Sequence, residues 1–358
     1  MDAYSGTKPV AGQHAFDIGA LQRHLEQHLP GFAGPLTVEQ FKGGQSNPTY
    51  KLITPGATYA MRSKPGPVAK LLPSAHAIER EFLVMNMLRD TAVPVPRMHL
   101  LCEDESVLGR AFYVMEYVEG RVLWDQSLPG MTPAQRGAIY DEMNRVIAAL
   151  HNVDVTDAMA SYGKHGNYFE RQIGRWSKQY VASITEPIEA MDRLMEWLPA
   201  HMPASARDES QKAIVHGDYR LDNMVFHPTE PRVLAVLDWE LSTIGHPLAD
   251  FSYHCMSWHI PHGTFRGIGG LDLAALGIPD ERAYVQRYCV RTHRPSSEAV
   301  MADWNFYMAY NLFRMAGILQ GIAKRVVEGT AASEQARQSA AGARPLAEMG
   351  WRIAQQQR

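Results

Sequence analysis

The densest group of residues able to do chemistry lies in AIVHGDYRLDNMVFHPTEPRVLAVLDWE, residues 213–240. Asp218 stands five residues before Asn223, and Asp238 follows two apolar, strand-forming runs at 224–226 and 233–237. Those runs put all three polar side chains at the ends of short strands. Hard divalent cations such as Mg²⁺ take oxygen ligands from carboxylate, amide and phosphate groups. Phosphoryl transfer uses one carboxylate to orient and deprotonate an attacking hydroxyl, and an amide and a second carboxylate to hold metal on the nucleotide. Asp218 suits the first task; Asn223 and Asp238 suit the second. His216 reads as a holder of the loop rather than a base, and Asp222 as a solvated loop charge.

Further groups precede and follow this cluster. Gly43 and Gly44 can adopt backbone angles closed to other residues and let amides approach a phosphate, with Gln45, Ser46 and Asn47 beside them. Taken alone, the same residues also suit an ordinary hairpin turn. Arg62 and Lys64 lie two apart on one strand face, and Glu79 and Glu81 lie in a predicted helix over 75–89. At 100° per residue Ile78, Phe82, Met85 and Leu88 share a face, and Glu81 falls within it while Glu79 points away. A carboxylate on a buried stripe needs a partner, so Glu81 is the better candidate to meet a basic residue on the strand. The alternative is a salt bridge at the surface edge with no function. His254, Cys255, His259 and His262 are irregularly spaced in an aromatic-rich segment, which disfavours zinc. No G-x-x-x-x-G-K-[ST], G-x-G-x-x-G or G-x-S-x-G stretch occurs, which removes P-loop, Rossmann and α/β-hydrolase chemistry.

The elements that must position these residues follow from punctuation and periodicity. Asp17 caps a predicted helix with Ile18, Leu21, Leu25 and Leu29 at helical spacing, stopped by Pro30-Gly31. Strand-like runs at 36–41, 49–54 and 58–63 are separated by Gly43-Gly44 and Pro55-Gly56, which mark antiparallel hairpins. The helix over 75–89 ends at VPVP, 93–96, and strands at 97–102 and 111–118 complete five strands around one helix. Beyond Glu119-Gly120, helices are predicted over 132–151, 167–181 and 187–198. A β-rich stretch at 213–238 follows, and 246–357 is mostly helical, its Met-rich part at 301–315 reading as core. This predicts an N-terminal β-rich lobe, 1–118, and a helical lobe, 119–358, holding the loop at 214–223 and the segment at 237–240.

The whole chain has 358 residues, 46% hydrophobic and 20% charged, with a net charge of −3. That length suits two domains, and the composition excludes a disordered, collagen-like or coiled-coil chain. No run of 18 apolar residues could span a membrane, and MDAYSGTKPVAGQHAFD lacks the pattern of a secretory leader. Three scattered cysteines suit a reducing compartment, so a cytoplasmic location is expected. Net charge gives no support for nucleic acid as a partner.

H-G-D-Y-R-L-D-N at 216–223 followed by L-D-W-E at 237–240 resembles the catalytic and metal motifs of the aminoglycoside phosphotransferase family, the small-molecule branch of the kinase-like fold. FKGGQSNPTY at 41–50 resembles that family's nucleotide loop, TYAMRSKP at 58–65 its phosphate-binding strand, and VMEYVEG at 114–120 its adenine hinge. The four pieces occur in the family's order over most of the chain. The resemblance implies an α+β, bilobal protein-kinase-like fold and an ATP- and Mg²⁺-dependent phosphotransferase with a small hydroxylated acceptor. It implies that Gly43, Gly44, Gln45, Ser46 and Asn47 cover the triphosphate, that Arg62 contacts phosphates with Glu81 behind it, and that Glu116 and Tyr117 flank adenine. Asp218 would be the base, Asn223 and Asp238 the metal ligands. Asp250, in GHPLADF, would brace the loop with His216; a surface carboxylate is the alternative for it.

Two departures matter. Arg62 stands where the family carries a lysine, which keeps charge but changes geometry and leaves a nucleotide-binding pseudokinase as the rival. His-Gly-Asp replaces the His-Arg-Asp of most protein kinases, whose arginine often receives a phosphorylated activation loop, so protein substrates are not expected. GGQSNPTY, the P-V-P at 94–96, HGDYRLDN and LDWELSTIGHPLADF together look closest to the kinase-like domains fused to acyl-CoA dehydrogenases in animals, and to free-standing bacterial relatives. That branch implies a hydroxyacyl-CoA acceptor. Residues 281–358 carry 11 basic and 6 acidic side chains, an excess of 5, which suits an anionic acceptor and disfavours a polycationic aminoglycoside; the alternative acceptors are an aminoglycoside, a choline-like amine or a sugar.

Overall fold

In the strands Thr37–Phe41 and Thr49–Ile53 every second residue is buried, the period-2 signature of a sheet with one face on a core. A computed structural model describes residues 6–10, 12–42, 47–65, 77–156, 159, 161–164, 166–294, 296–331 and 333–356. The expectations for Gly43, Gly44, Gln45 and Ser46 lie outside the described residues.

The chain divides into two compact units, Met1–Trp124 with Leu221–Ser242, and Asp125–Arg220 with Thr243–Arg358. In the first unit, β1 (Thr7–Pro9) precedes α1 (Ile18–His28), followed by β2 (Thr37–Phe41), β3 (Thr49–Ile53) and β4 (Thr58–Ser63). Then come α2 (Ile78–Leu88), β5 (Met98–Cys102), α3 (Glu105–Leu108) and β6 (Phe112–Glu116). The strands form one antiparallel sheet in the order β1-β2-β3-β4-β6-β5. The sheet thus has six strands rather than the five expected. β1 is three residues long and ends in proline, so it carries almost no strand signal, yet an edge position tolerates a residue without an N–H. Asp17 Oδ1 accepts from Ala20 N at 2.9 Å, capping α1 as predicted. Leu21 and Leu25 pack with Tyr50, Leu52, Met61, Phe112 and Val114 under the sheet.

The same unit takes in a hairpin of β8 (Met224–Phe226) and β9 (Val233–Val236). It is fastened by Arg121, whose N and O both pair with Phe226 at 2.9 Å, and by Val236 N donating to Pro94 O at 2.8 Å. Gly120 makes that approach possible, since a Cβ there would lie 2.3 Å from Phe226 O.

The second unit is mainly helical: α4 (Pro133–His151), α5 (Tyr168–Ser183), α6 (Glu189–Ala200), α7 (Ala204–Arg207), then β7 (Ala213–Val215) paired with β10 (Thr243–Gly245). It continues with α8 (Pro247–Cys255), α9 (Leu273–Leu276), α10 (Glu281–Arg291), α11 (Ser297–Ala302), α12 (Trp304–Val327), α13 (Glu334–Ala341) and α14 (Ala343–Ala354). α12 is buried on every side from Trp304 to Gly317, so the Met-rich stretch is the core helix it was expected to be. Cys102, Cys255 and Cys289 are free and buried. Among the described residues no helix is long and apolar enough to cross a membrane.

Candidate active site

Strand β4 lies between β3 and β6, and its register sets Arg62 opposite Tyr113. A guanidinium in such a central strand must be neutralised by neighbours. Three carboxylates do this. Arg62 Nη2 donates to Asp238 Oδ1 at 2.7 Å and lies 3.5 Å from Glu240 Oε2, while Nε lies 3.4 Å from Glu81 Oε2. Glu81, on α2, is wholly buried and also accepts from Asn47 Nδ2 and Tyr113 Oη, both at 3.1 Å. The helical face predicted for Glu81 is the face found, and Glu79 instead pairs with Lys64 at a partly exposed position. Burial raises the Glu81 carboxyl, against the pull of Arg62, and the surrounding carboxylates keep Arg62 charged despite its burial.

Asp238 follows β9 in a left-handed backbone conformation, φ 65° and ψ 57°, unusual for a residue with a side chain. Strain of this kind persists where the surroundings over-determine it. Here Leu237 N donates to Asn223 O at 2.8 Å, and buried Trp239 donates from Nε1 to Val236 O at 2.9 Å. Asn223 and Asp238 are therefore held at one end of the β8–β9 hairpin. At the end of β6, Glu116 N donates to Arg97 O and its side chain accepts from Arg97 N. Tyr117 stacks beside Phe41, with Lys51 Nζ 4.6 Å from its ring centroid.

Removing Arg62 would strand a buried carboxylate. Arg62→Met is expected to lower stability at neutral pH by about 3–5 kcal/mol. Urea unfolding of the variant beside wild type checks this.

In the second unit β7 feeds His216-Gly217-Asp218. Gly217 has φ 81°, so the turn needs a residue without a Cβ there. Asp250, on α8, is buried and accepts from His216 N at 2.6 Å and Gly217 N at 2.8 Å, with His151 Nε2 3.3 Å away. Of the two possibilities for Asp250, it is the buried brace and not a surface carboxylate. Burial opposes its ionisation, but the His151 hydrogen bond and the His216 donor outweigh that and hold the carboxyl below its ordinary range.

Asp218 itself meets two partners that sequence inspection had not singled out. Tyr253 Oη donates to Asp218 Oδ1 at 2.5 Å, and Arg220 Nε lies 3.0 Å from Oδ2. A third such residue, Arg314 of α12, is buried and donates from Nη2 to Gly217 O at 2.6 Å. Tyr253 lies three residues after Asp250 on one helix, a spacing that could have flagged it. His151 and Arg314 come from α4 and α12, and no local pattern marks them.

His254 bonds Tyr284 Oη and His259 bonds Glu281, both at 2.8 Å, and no group of three or more metal-ligating side chains occurs among the described residues. Burial pushes His246 and His254 down to about 4 and lowers His151 as well. These rings stay neutral while an unfolded chain would take up protons below pH 6.5. Stability is then full above pH 6.5 and falls as pH drops towards 4, by roughly 3 kcal/mol for each of His246 and His254. Urea midpoints at pH 7.5 and pH 4.5 test the sign.

Within residues 281–358, Arg287 and Arg291 pair with Asp141, Lys324 with Glu328, Arg337 with Glu334 and Arg344 with Glu186. Of the positive side chains beside Asp218, Arg314 belongs to that segment and Arg220 does not. Arg220 and Arg266 line a small cavity with Tyr253, His254 and Phe265; no carboxylate is among the described residues lining it, and Arg220 is paired with Asp218 beside it.

Residues 37–306 match the phosphotransferase enzyme family, APH. The chain is 45% identical over 352 residues to acyl-CoA dehydrogenase family member 10 of Mus musculus, covering 97% of this chain and 32% of that protein. It therefore spans about a third of that relative's length. A crystal structure of a candidate aminoglycoside phosphotransferase from Ralstonia eutropha JMP134 is 64% identical, with a TM-score of 0.86 over 95% of this chain and 98% of that one. The aminoglycoside phosphotransferase APH(4)-Ia, solved with ADP and hygromycin B, is 15% identical with a TM-score of 0.59 over 94% and 98% of the two chains, a likeness of fold.

Proposed function

The chain belongs to the phosphotransferase enzyme family, and from that membership we propose that it moves the γ-phosphoryl group of ATP to a hydroxyl of a small, anionic acceptor. The observation that carries this reading is Arg62, buried on a central strand between Glu81 of α2 and Asp238 at the hairpin end. Phosphoryl transfer calls for a cation backed by a helix carboxylate, with a metal-binding aspartate near it. Arginine supplies that cation with a planar fork suited to phosphate oxygens.

The remaining residues take the roles expected of them. Asn47 is tied to Glu81 and would stand beside the triphosphate with Gly43, Gly44, Gln45 and Ser46. Glu116 and Tyr117 end the strand against which adenine would lie. Asn223 and Asp238 offer an amide oxygen and a carboxylate, a donor set that fits Mg²⁺, and Glu240 adds a second carboxylate on Arg62. Mg²⁺ held there would neutralise charge on the phosphate oxygens. Asp218 accepts the acceptor's proton as its oxygen bonds to the γ-phosphorus and the bond to ADP breaks. The N-terminal 1–118 would then serve nucleotide binding and 119–358 the acceptor, with His216 and Asp250 holding the loop.

The acceptor follows from charge. Aminoglycosides and choline-like amines are cations and call for acidic walls, whereas the carboxylate of Asp218 is already paired with Arg220, and Arg266 and Arg314 add positive charge near Tyr253. This supports an anionic acceptor, of which a hydroxyacyl-CoA is the candidate. The test is transfer of label from γ-labelled ATP to hydroxyacyl-CoAs of several chain lengths, aminoglycosides, choline and sugars. Labelled hydroxyacyl-CoA is expected. Label on a cationic acceptor alone would overturn the acceptor class, and Mg·ATP binding without transfer to any acceptor would favour the pseudokinase.

A further inference from the structure

We propose that Tyr253 is the residue that positions Asp218 for transfer, and that Arg314 positions Tyr253. The proposal rests on the reading of Asp218 as the group that receives the acceptor hydroxyl.

A carboxylate on a loop can rotate about both side-chain bonds, and a hydroxyl in line with the γ-phosphorus meets it productively in one orientation only. Positioning of this kind supplies much of the catalysis in phosphoryl transfer, where little covalent work is left to the protein. Both oxygens of Asp218 are engaged, Oδ1 by the Tyr253 hydroxyl at 2.5 Å and Oδ2 by Arg220 at 3.0 Å. Arg220 belongs to the same loop and moves with it. Tyr253 is mounted on α8, so it ties the side chain to a separate, buried element.

The mounting is firm for a reason visible along α8. Asp250 and Tyr253 are three residues apart, hence on one face. The first carboxylate grips the backbone of His216 and Gly217, and one turn later the hydroxyl grips the side chain of Asp218. α8 is in turn pinned to α12, where Asn311 Nδ2 donates to Ala249 O at 3.0 Å and to Ser252 Oγ at 2.7 Å. One turn along α12, the Arg314 guanidinium sits 5.1 Å from the Tyr253 ring centroid and donates to Gly217 O. It therefore holds the tyrosine ring and the turn bearing Asp218 at once. Burial, together with the Asp218 charge, pushes the Tyr253 hydroxyl well above its usual range, so it stays a donor throughout the reaction. The proton released by the acceptor goes to Asp218, and Tyr253 keeps its own.

The charged and titratable groups facing Asp218 include Arg220 and His216 from its loop, the latter accepting from Asp218 N, Tyr253 from α8 and Arg314 from α12. The experiment measures kcat, KM for the acceptor, nucleotide affinity and Tm for wild type, Tyr253→Phe and Arg314→Lys in the full chain. Tyr253→Phe removes one oxygen and keeps the ring under Arg314. It is expected to lower kcat about 10- to 100-fold and to leave nucleotide affinity within about twofold. Arg314→Lys should lower kcat the same way and is read independently. A kcat within about twofold of wild type would overturn the proposal. A loss of kcat that tracks Tm and is matched by an equal loss of nucleotide affinity would also overturn it, as a purely structural effect. Asp218→Asn separates the two claims. If it keeps full turnover, the reading of Asp218 falls; if it is inactive while Tyr253→Phe behaves as wild type, only the positioning role falls.

Discussion

Asp218→Asn is expected to reduce phosphoryl transfer about 10³-fold while leaving Mg·ATP affinity unchanged. The substitution keeps size and shape and removes the negative charge, and with it the ability to take a proton and the ion pair with Arg220. Its effect on the fold should be small, because the grip on the His216–Gly217 backbone comes from Asp250 and Arg314 rather than from Asp218. The Tyr253 hydroxyl can still donate to the amide oxygen, so the side chain stays near its place. Steady-state kinetics and calorimetric titration with a non-hydrolysable nucleotide separate the two effects. Equal losses in turnover and nucleotide affinity would contradict the assignment.

Asp238→Ala is expected to weaken Mg·ATP binding about 100-fold and to remove its dependence on the metal. Two consequences combine here. The variant would lose the oxygen ligand proposed for Mg²⁺, and it loses the carboxylate 2.7 Å from Arg62. The second loss leaves Arg62 to Glu81 and Glu240, so the strand should stay folded and the change should appear in binding rather than in stability. Because Arg62 already occupies Asp238, metal entry must compete with a guanidinium. Mg²⁺ without nucleotide is then expected to bind poorly, while phosphates that draw Arg62 towards themselves release the carboxylate. Titration of wild type and variant with ATP, with and without Mg²⁺, measures both points. Unchanged Mg·ATP affinity in Asp238→Ala would refute the metal assignment.

Much of this arrangement was legible in the sequence because it is local. The alternation in 37–41 and 49–53, the Asp17 cap and the apolar stripe that includes Glu81 are short-range patterns with one physical solution each. β1 was not legible, since Thr7–Pro9 has neither the length nor the residues of a strand and exists by pairing with β2. The division of the chain was read as a single boundary near residue 118, whereas Leu221–Ser242 packs with the N-terminal unit. That follows from tertiary bonds of Arg121 and Pro94, which leave no trace in composition. Among site residues, Glu81 was within reach of helix periodicity, and Arg62 was singled out by the resemblance of TYAMRSKP to the family's phosphate-binding strand. His151 and Arg314 were not, because His151 meets Asp250 99 residues away along the chain and Arg314 meets Gly217 97 residues away. The basic C-terminal segment contributes Arg314 beside the Asp218 loop, while Arg287, Arg291, Arg337 and Arg344 pair with carboxylates elsewhere.

The central claim is that this chain transfers a phosphoryl group to a hydroxyl and does so through Asp218. Phosphorus NMR of ATP, Mg²⁺ and a hydroxyacyl-CoA, followed in time with wild type and with Asp218→Asn, addresses it most directly. A new phosphomonoester resonance growing in step with ADP, and absent with the variant, is the predicted result. ADP accompanied only by inorganic phosphate, or ATP left intact while Mg·ATP is bound, would contradict it.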